Sequence, residues 1–373
     1  LLEAISLNPA MGMYLNTRGN QKEDNKGRQP DENYAREVMQ LMTIGLVQLE
    51  PNGEPRRSAD GTPLETYTQD DVTHLARVFT GYDLDIQPAD KEAFTPSGAT
   101  NAVDGNGWTT RPMTLFAARH STLAANFLGA SVPAGADGKT ALKIGLDTLF
   151  NHPNVGPFIG RQLIQRLVTS NPSPDYVARV ATVFANNGAG VRGDMRSVFA
   201  AVLLDNEARA PSGLTSPSFG RLREPMLRLV QWARTFKVSS ATDTWKVGDT
   251  SSTTGSLGQS PLRSPSVFNF FRPGYVPPST AIASSGMVAP EFQLVNETSV
   301  GAYLNFMQNV IPNGFASKDV LADYSAEKAL VLDASALVDR LTLLLCAGQL
   351  SADTLGVIKN ALGTPALTGS SNE

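Results

Sequence analysis

A single cysteine, Cys346, and three histidines, His74, His120 and His152, are all the thiol and imidazole in this 373-residue chain. One thiol excludes an intrachain disulfide and every multi-thiolate metal site. In LTLLLCAG it reads as a small buried apolar residue. Charge is scarce as well: Asp, Glu, Lys and Arg make up 18% of the residues, against about a quarter in an ordinary soluble domain. The net charge of −4 gives no basic footprint for nucleic acid or anionic lipid. No uncharged apolar run approaches the length of a membrane span. Reaction signatures are missing too. There is no G-x-S-x-G, no H-E-x-x-H and no G-x-G-x-x-G after a strand, and Pro133 stands where a phosphate loop ending in GKT (138–140) needs its first glycine.

What the sequence does contain is helix punctuation. Pro9 opens a short helix, Thr68 and Asp71 form a capping-box pattern, Ser173 and Pro174 fit N-cap and N1, and Asp333 and Gly348 bracket a late helix. Further helices are expected near 140–150, 157–169, 174–187, 194–205, 223–237, 290–311, 334–347 and 352–362, with Met226, Leu229, Val230, Ala233 and Phe236 forming one apolar stripe. Residues 16–30 read as a polar, patternless loop. The expected fold is mainly α: an irregular multi-helix bundle with long loops and at most a short β-hairpin. Its organisation is a helical core over 1–237 with a loop excursion at 83–113, an irregular Ser/Gly- and aromatic-rich segment at 238–288, and C-terminal helices at 289–373 packing on the same core as one domain. The chain begins LLEAISLNP, without Met, a basic n-region or a signal core, so its start is expected to have been removed or to continue into a longer protein.

The densest group of reactive side chains lies in PDENYAREVMQLMTIGL (30–46). Projected at about 100° per residue, Tyr34, Ala35, Val38, Met39, Leu41, Met42, Gly45 and Leu46 share an apolar arc. Glu32, Asn33, Arg36, Gln40 and Thr43 lie opposite. Asp31 is the expected N-cap, and Glu32 with Arg36 an i,i+4 pair. Glu37 falls at the edge of the apolar arc, where a carboxylate needs a partner; Arg36, Arg77 or a backbone amide is expected. In the next helix Val72, Leu75, Ala76, Val78 and Phe79 share the apolar side. Asp70, His74 and Arg77 cluster on the other, and the Asp70–His74 pair supplies too few ligands for a metal. His120, in LFAARHST, is a candidate general base without an accompanying Ser or Cys nucleophile signature. His152 reads as a turn residue. Phe268, Phe270, Phe271 and Tyr275 belong to the core or, in a second reading, to a groove for an extended polymer. RGD (192–194) is accounted for by Asp194 as an N-cap, and the Asn296 sequon by a helix. DGNG (104–107) and ADGT (59–62) read as turns, with calcium the one ion they could hold.

Several of these segments occur in a familiar order: NPAMGMYLN, PDENYAREVMQLMTIGL, YTQDDVTHLARVFTGYD, HPNVGPFIGRQLIQRLVTSNPSPDYVARV, GVRGDMRSVFAAVLLDNEAR, LREPMLRL, SPSVFNFFRPGY and APEFQLVNE. Together they resemble a bacterial family, domain-of-unknown-function family 1800, over most of the chain. The resemblance implies a bacterial protein, often exported, frequently encoded beside a sulfatase-related partner family, and with a further N-terminal helical region that this sequence lacks. It supplies no reaction. Where the family commonly has His-Asp, then Lys, then Leu-Gly, this chain has His120, Ser121, Asn126, Leu128 and Gly129, so a catalytic His-Asp-Lys set would have lost two members.

The expected function is that of an exported (periplasmic, cell-surface or extracellular) surface or matrix protein that binds a protein encoded nearby or an extracellular polymer. The competing expectation is a hydrolase or lyase on such a polymer. It would use Glu37, Arg36 and His120, with Arg77 as an anion clamp; for either reading Asn33, Arg77, Asp70, His74, Phe271 and Tyr275 are the binding candidates. No cofactor is expected, calcium apart.

Overall fold

A computed structural model describes residues 1–88, 90 and 107–362; most of the DGNG turn and Gly363 lie outside them. The described chain is mainly helical. It separates into two compact units, Leu1–Gly220 and Arg221–Glu373.

In the first unit, α1 (Leu2–Ser6) and α2 (Pro9–Tyr14) are joined by Asn8, whose side chain accepts from the Ala10 and Met11 amides. After the loop at 16–30 comes α3 (Asn33–Glu37), which runs directly into a π-helical turn, Val38–Thr43. Next is α4 (Gln69–Val78), closed at its start by the full Thr68–Asp71 capping box. Strand β1 (Tyr82–Asp83) pairs antiparallel with β2 (Thr114–Leu115), and β3 (Ala125–Phe127) with β4 (Ala130–Val132). The β3–β4 hairpin turns through Leu128 and Gly129, both at positive φ, as a tight two-residue turn requires. The remaining helices are α5 (Gly138–Asn151), α6 (Val155–Leu167), α7 (Pro174–Ala185), α8 (Met195–Leu204) and α9 (Asn206–Arg209). Gly160 lets α7 approach α6 closely; a Cβ there would stand 3.0 Å from Val180.

The apolar face of α4 is buried as its periodicity predicts, and Phe79 meets the Tyr34 ring edge-on at 4.8 Å. Beyond Val38, however, the α projection of the 30–46 segment fails. Thr43, projected onto the polar side, is buried, and Leu46, projected onto the apolar arc, is 54% exposed. The π turn is the cause. It inserts a residue into the helical register: the Ile44 amide donates to the Met39 carbonyl at 3.0 Å, and the Thr43 hydroxyl to the Val38 carbonyl at 2.6 Å. Asn154 fixes the exit, its buried amide donating to the Ile44 and Val47 carbonyls and accepting from the Leu49 N–H.

The second unit comprises α10 (Pro225–Thr235), β5 (Ser239–Ser240), α11 (Ala281–Ser284), α12 (Glu297–Asn313), β6 (Val320–Leu321), α13 (Ser325–Lys328), α14 (Ala334–Cys346) and α15 (Ala352–Leu362), with β5 paired antiparallel to β6. Its core gathers Leu229, Trp232, Phe236, Leu257 and Val310, with Phe306, Phe315, Tyr324 and Leu341 packed against them. The α10 stripe read from sequence therefore divides: Leu229 and Phe236 are in this core, whereas Val230 is 38% exposed. Asn296 caps α12, its side chain accepting from the Ser299 amide, as a helix reading of that sequon requires. No described helix is long and apolar enough to cross a membrane.

Candidate functional site

The polar residues that open the 30–46 segment form a lattice between α3 and α4. Glu32 accepts from Arg36 and from the Gln69 amide through Oε2, and from the Thr73 hydroxyl through Oε1, at 3.2, 2.8 and 2.7 Å. Arg36 in turn donates to Gln69 Oε1 at 2.9 Å. Burial would raise the Glu32 pKa, but these donors outweigh it and hold the carboxyl below its usual range. Asp31 does not cap α3 through the usual Ncap geometry. It sits one residue earlier and accepts from the Asn33 amide at 2.8 Å, while Asn33's own side chain makes no hydrogen bond among the described residues.

Glu37 closes α3 and is buried, 8% exposed, with Oε2 unpartnered. Arg36 is its attractive neighbour, but that guanidinium is engaged by Glu32 and Gln69. Desolvation therefore dominates and raises the Glu37 pKa against the pull of Arg36. Tyr67, itself raised by burial, also feels the Glu37 charge.

The histidines serve the framework. His120 is buried, and its Nδ1 lies 2.9 Å from the Thr80 carbonyl. A carbonyl only accepts, so Nδ1 carries the proton. The Thr80 hydroxyl donates to the Arg77 carbonyl and accepts from the Ser121 amide. Ser121 donates to Glu23 at 2.9 Å. His74 and Arg77 grip the β3–β4 hairpin by its backbone: His74 Nδ1 donates to the Asn126 carbonyl at 2.7 Å and Arg77 to the Ala124 carbonyl at 2.5 Å. The third member of this clamp is Asp71, whose Oδ1 accepts from Leu128 N at 2.7 Å. Asp70 is exposed and makes no hydrogen bond among the described residues. No hydrogen bond or ion pair among those residues joins Glu37 to His120 or Arg77. His152 is half-buried, its pKa lowered by burial and by Arg192. Arg192 itself caps the end of α5 through the Phe150 and His152 carbonyls, and Asp194 caps α8, which accounts for the RGD triplet.

The other side of the π turn borders open space. Met42 and Thr43 help to line a cavity of about 800 Å³. Its walls are mostly apolar: Leu142, Leu146 and Phe150 from α5, Val155 and Ile159 from α6, and Phe184, Met195, Leu2 and Leu7. Four charged residues border it, Glu3, Lys139, Lys143 and Asp147, of which Lys143 and Asp147 pair at 2.6 Å. Sequence reading missed this cavity because its lining comes from separate helices. The only local signal was the abrupt shift from polar to apolar residues at 38–46.

In the second unit Phe271 is buried and Tyr275 half-buried, the Tyr275 carbonyl accepting from Ala289 N at 2.9 Å. The same unit holds a buried charge group that the sequence did not announce. Glu291, 1% exposed, takes the Arg221 guanidinium at 3.1 Å through Oε1 and leaves Oε2 unpartnered. Arg221 also faces Glu224 at 3.6 Å. Among the described residues no group of three His, Cys, Asp or Glu side chains converges as a metal site would require.

No curated protein and no solved structure matches this chain at a significant level. The model of one family, described as a protein of unknown function (DUF1800), matches residues 1–373, its whole length. The chain belongs to that family, domain-of-unknown-function 1800.

Proposed function

We propose that this protein is an exported partner-binding protein whose first unit takes an uncharged apolar segment of another protein into the cavity beside the π turn. The observation that carries this reading is the cavity itself. Its volume of about 800 Å³ falls within the range of ligand sites, and mostly apolar walls with a few polar groups are what such sites have. Lys143 is neutralised by Asp147 at its edge. Glu3 and Lys139, the other two charged residues at the border, are of opposite sign, so no net charge favours a charged occupant, which would also lose its hydration among apolar walls. An apolar side chain or short apolar segment meets no such penalty.

A hydrolase or lyase built on Arg36, Glu37 and His120 has less support. The first is committed to Glu32 and Gln69, the third to Thr80, and neither reaches Glu37 by a hydrogen bond among the described residues. Export rests on the family resemblance, and cell fractionation with an antibody against the chain tests it.

Capture of envelope proteins on immobilised protein, followed by cross-linking, tests the binding reading. The comparison is wild type against Met195→Trp, which fills the cavity from a half-exposed wall position. The expected result is a captured partner whose recovery falls about tenfold in the variant, the loss of one well-buried contact. Capture of nothing, or capture indifferent to Met195→Trp, overturns the proposal.

A further inference from the structure

A second concavity in the first unit, of about 610 Å³, is formed by the end of α2 (Gly12 and Met13), the loop between α2 and α3, and Asp83 of β1. This loop has no periodic pattern, yet it is pinned along its length. Asn20 is buried and holds both main-chain groups of Asp31, donating to its carbonyl at 3.2 Å and accepting from its amide at 2.9 Å. Gly19 N donates to the Tyr82 carbonyl, Gly81 N to the Asn20 carbonyl and Lys22 N to the Arg119 carbonyl. The concavity is thus formed before any ligand arrives, and a fixed wall lowers the entropy lost on binding.

Its chemistry is specific in what it omits. Two arginines, Arg18 and Arg28, are balanced by two aspartates, Asp31 and Asp83, so neither an anion nor a cation is favoured by net charge. The carboxylates are already occupied. Asp83 accepts from Leu84 N and Arg119 and faces Arg18 at 3.5 Å, and Asp31 accepts from Asn33 N and Asn16 Nδ2. What is left over is amide chemistry, beside the remaining N–H donors of Arg18 and Arg28. Gln21 and Gln29 line the concavity and their side chains make no hydrogen bond among the described residues, and Asn16 Oδ1 is likewise unused. Each glutamine amide offers two donors and one acceptor in a plane, the complement of a vicinal pair of hydroxyls, each of which both donates and accepts. Met13, on the rim and 44% exposed, supplies an apolar plate for the C–H face of a ring. An extended peptide is served less well, because main-chain pairing needs a free strand edge. The bordering strand, β1, is bonded to β2 on one side and to Gly19 through the Tyr82 carbonyl.

We infer that this concavity is a binding subsite for a neutral polysaccharide chain, read by the Gln21 and Gln29 amides over the Met13 plate. The inference is independent of the apolar cavity and goes beyond it.

The test is calorimetric titration of the full chain with short neutral oligomers of glucose, mannose and N-acetylglucosamine. An oligogalacturonate and an uncharged peptide serve as the other arms. The expected result is binding of a neutral oligomer, weakened about tenfold by Gln21→Ala combined with Gln29→Ala, as the loss of two hydrogen bonds predicts. Met195→Trp leaves that binding unchanged, and melting curves show that the double variant is folded. Three results overturn the inference: no neutral oligomer binding up to about 10 mM, binding indifferent to the double variant, or binding of the galacturonate or peptide alone.

Discussion

Each unit buries a glutamate with one unpartnered carboxylate oxygen, and the two are treated in opposite ways. Glu291 in the second unit is matched to Arg221 at 3.1 Å inside a nearly dry environment. Glu37 in the first unit has an arginine as its chain neighbour, but that arginine is engaged elsewhere, and burial raises its pKa. Sequence adjacency thus predicts little about pairing; what decides is which partner the fold leaves uncommitted. The units differ in backbone as well. Among the described residues, ten of the twelve non-glycine positions at positive φ lie in the second unit, which supplies only ten of the forty buried apolar side chains. The first unit rests on regular amphipathic helices. The second has fewer buried apolar side chains to rest on, so its buried Arg221–Glu291 pair is where it should be most easily broken.

Arg221→Ala gives the largest expected effect. It leaves the Glu291 carboxylate buried without its cation, which costs about 3–5 kcal/mol when a buried pair loses one member. Denaturant unfolding followed at Trp232 measures it. Replacing both partners, Arg221→Met with Glu291→Leu, should recover most of the loss, since a buried pair is close to neutral against apolar residues of similar volume. If the double variant is no better than the single one, Glu291 is held by something other than its charge. Asn154→Ala is the counterpart in the first unit. It strands the Ile44 carbonyl in a buried setting and leaves the Val47 carbonyl and the Leu49 amide where water can reach them, a loss of about 1–3 kcal/mol for the one group left unsatisfied and water-free. Hydrogen exchange should then rise over 38–49 ahead of the rest of the unit. Uniform exchange across the unit would mean that the π turn does not depend on Asn154.

What the sequence made legible follows the same division. Helices with their own start signals were readable because a cap acts over three residues: Thr68–Asp71, Ser173–Pro174 and Asp333 all cap the helices they precede. The Glu32–Arg36 pair was readable for the same reason. The π turn was not, because Asn154, more than a hundred residues away, helps to set its register. Nor was the clamp on the β3–β4 hairpin, where Asp71, His74 and Arg77 all bind main-chain groups; a backbone carbonyl has no signature in a side-chain pattern. The loop at 16–30 looked structureless for the same reason, although its amides are paired with distant carbonyls. Glu291 was read as part of a helix over 290–311. It lies instead in a 3₁₀ turn, Pro290–Leu294, ahead of α12, where Pro290 and the later Asn296 cap postpone the helix.

Arg36→Ala should matter less than either buried contact. Its pair with Glu32 is half-exposed on both sides, and such pairs contribute about 0–1 kcal/mol. Glu32 also keeps Gln69 and Thr73 as donors. A loss above about 2 kcal/mol would exceed that range and show that the lattice between α3 and α4 is cooperative.

The smallest expected effect is the most diagnostic of the contrast between the two glutamates. Burial raises the folded pKa of Glu37 above its unfolded value near 4.5. Between the two values the folded state binds more protons than the unfolded state, so stability falls as pH rises through that window and is level above it. Below the unfolded pKa the carboxyl is neutral in both states and Glu37→Gln changes little. At neutral pH the glutamine avoids burying a charge, and the variant should melt higher than wild type by an amount worth less than about 1 kcal/mol. The other carboxylates, many lowered by hydrogen bonds, titrate alike in both proteins and cancel from the difference. The quantity to measure is therefore the difference in Tm between variant and wild type across pH 4 to 7, expected to rise with pH. A difference that falls with pH would mean that the ionised Glu37 gains a partner, and the contrast with Glu291 would disappear.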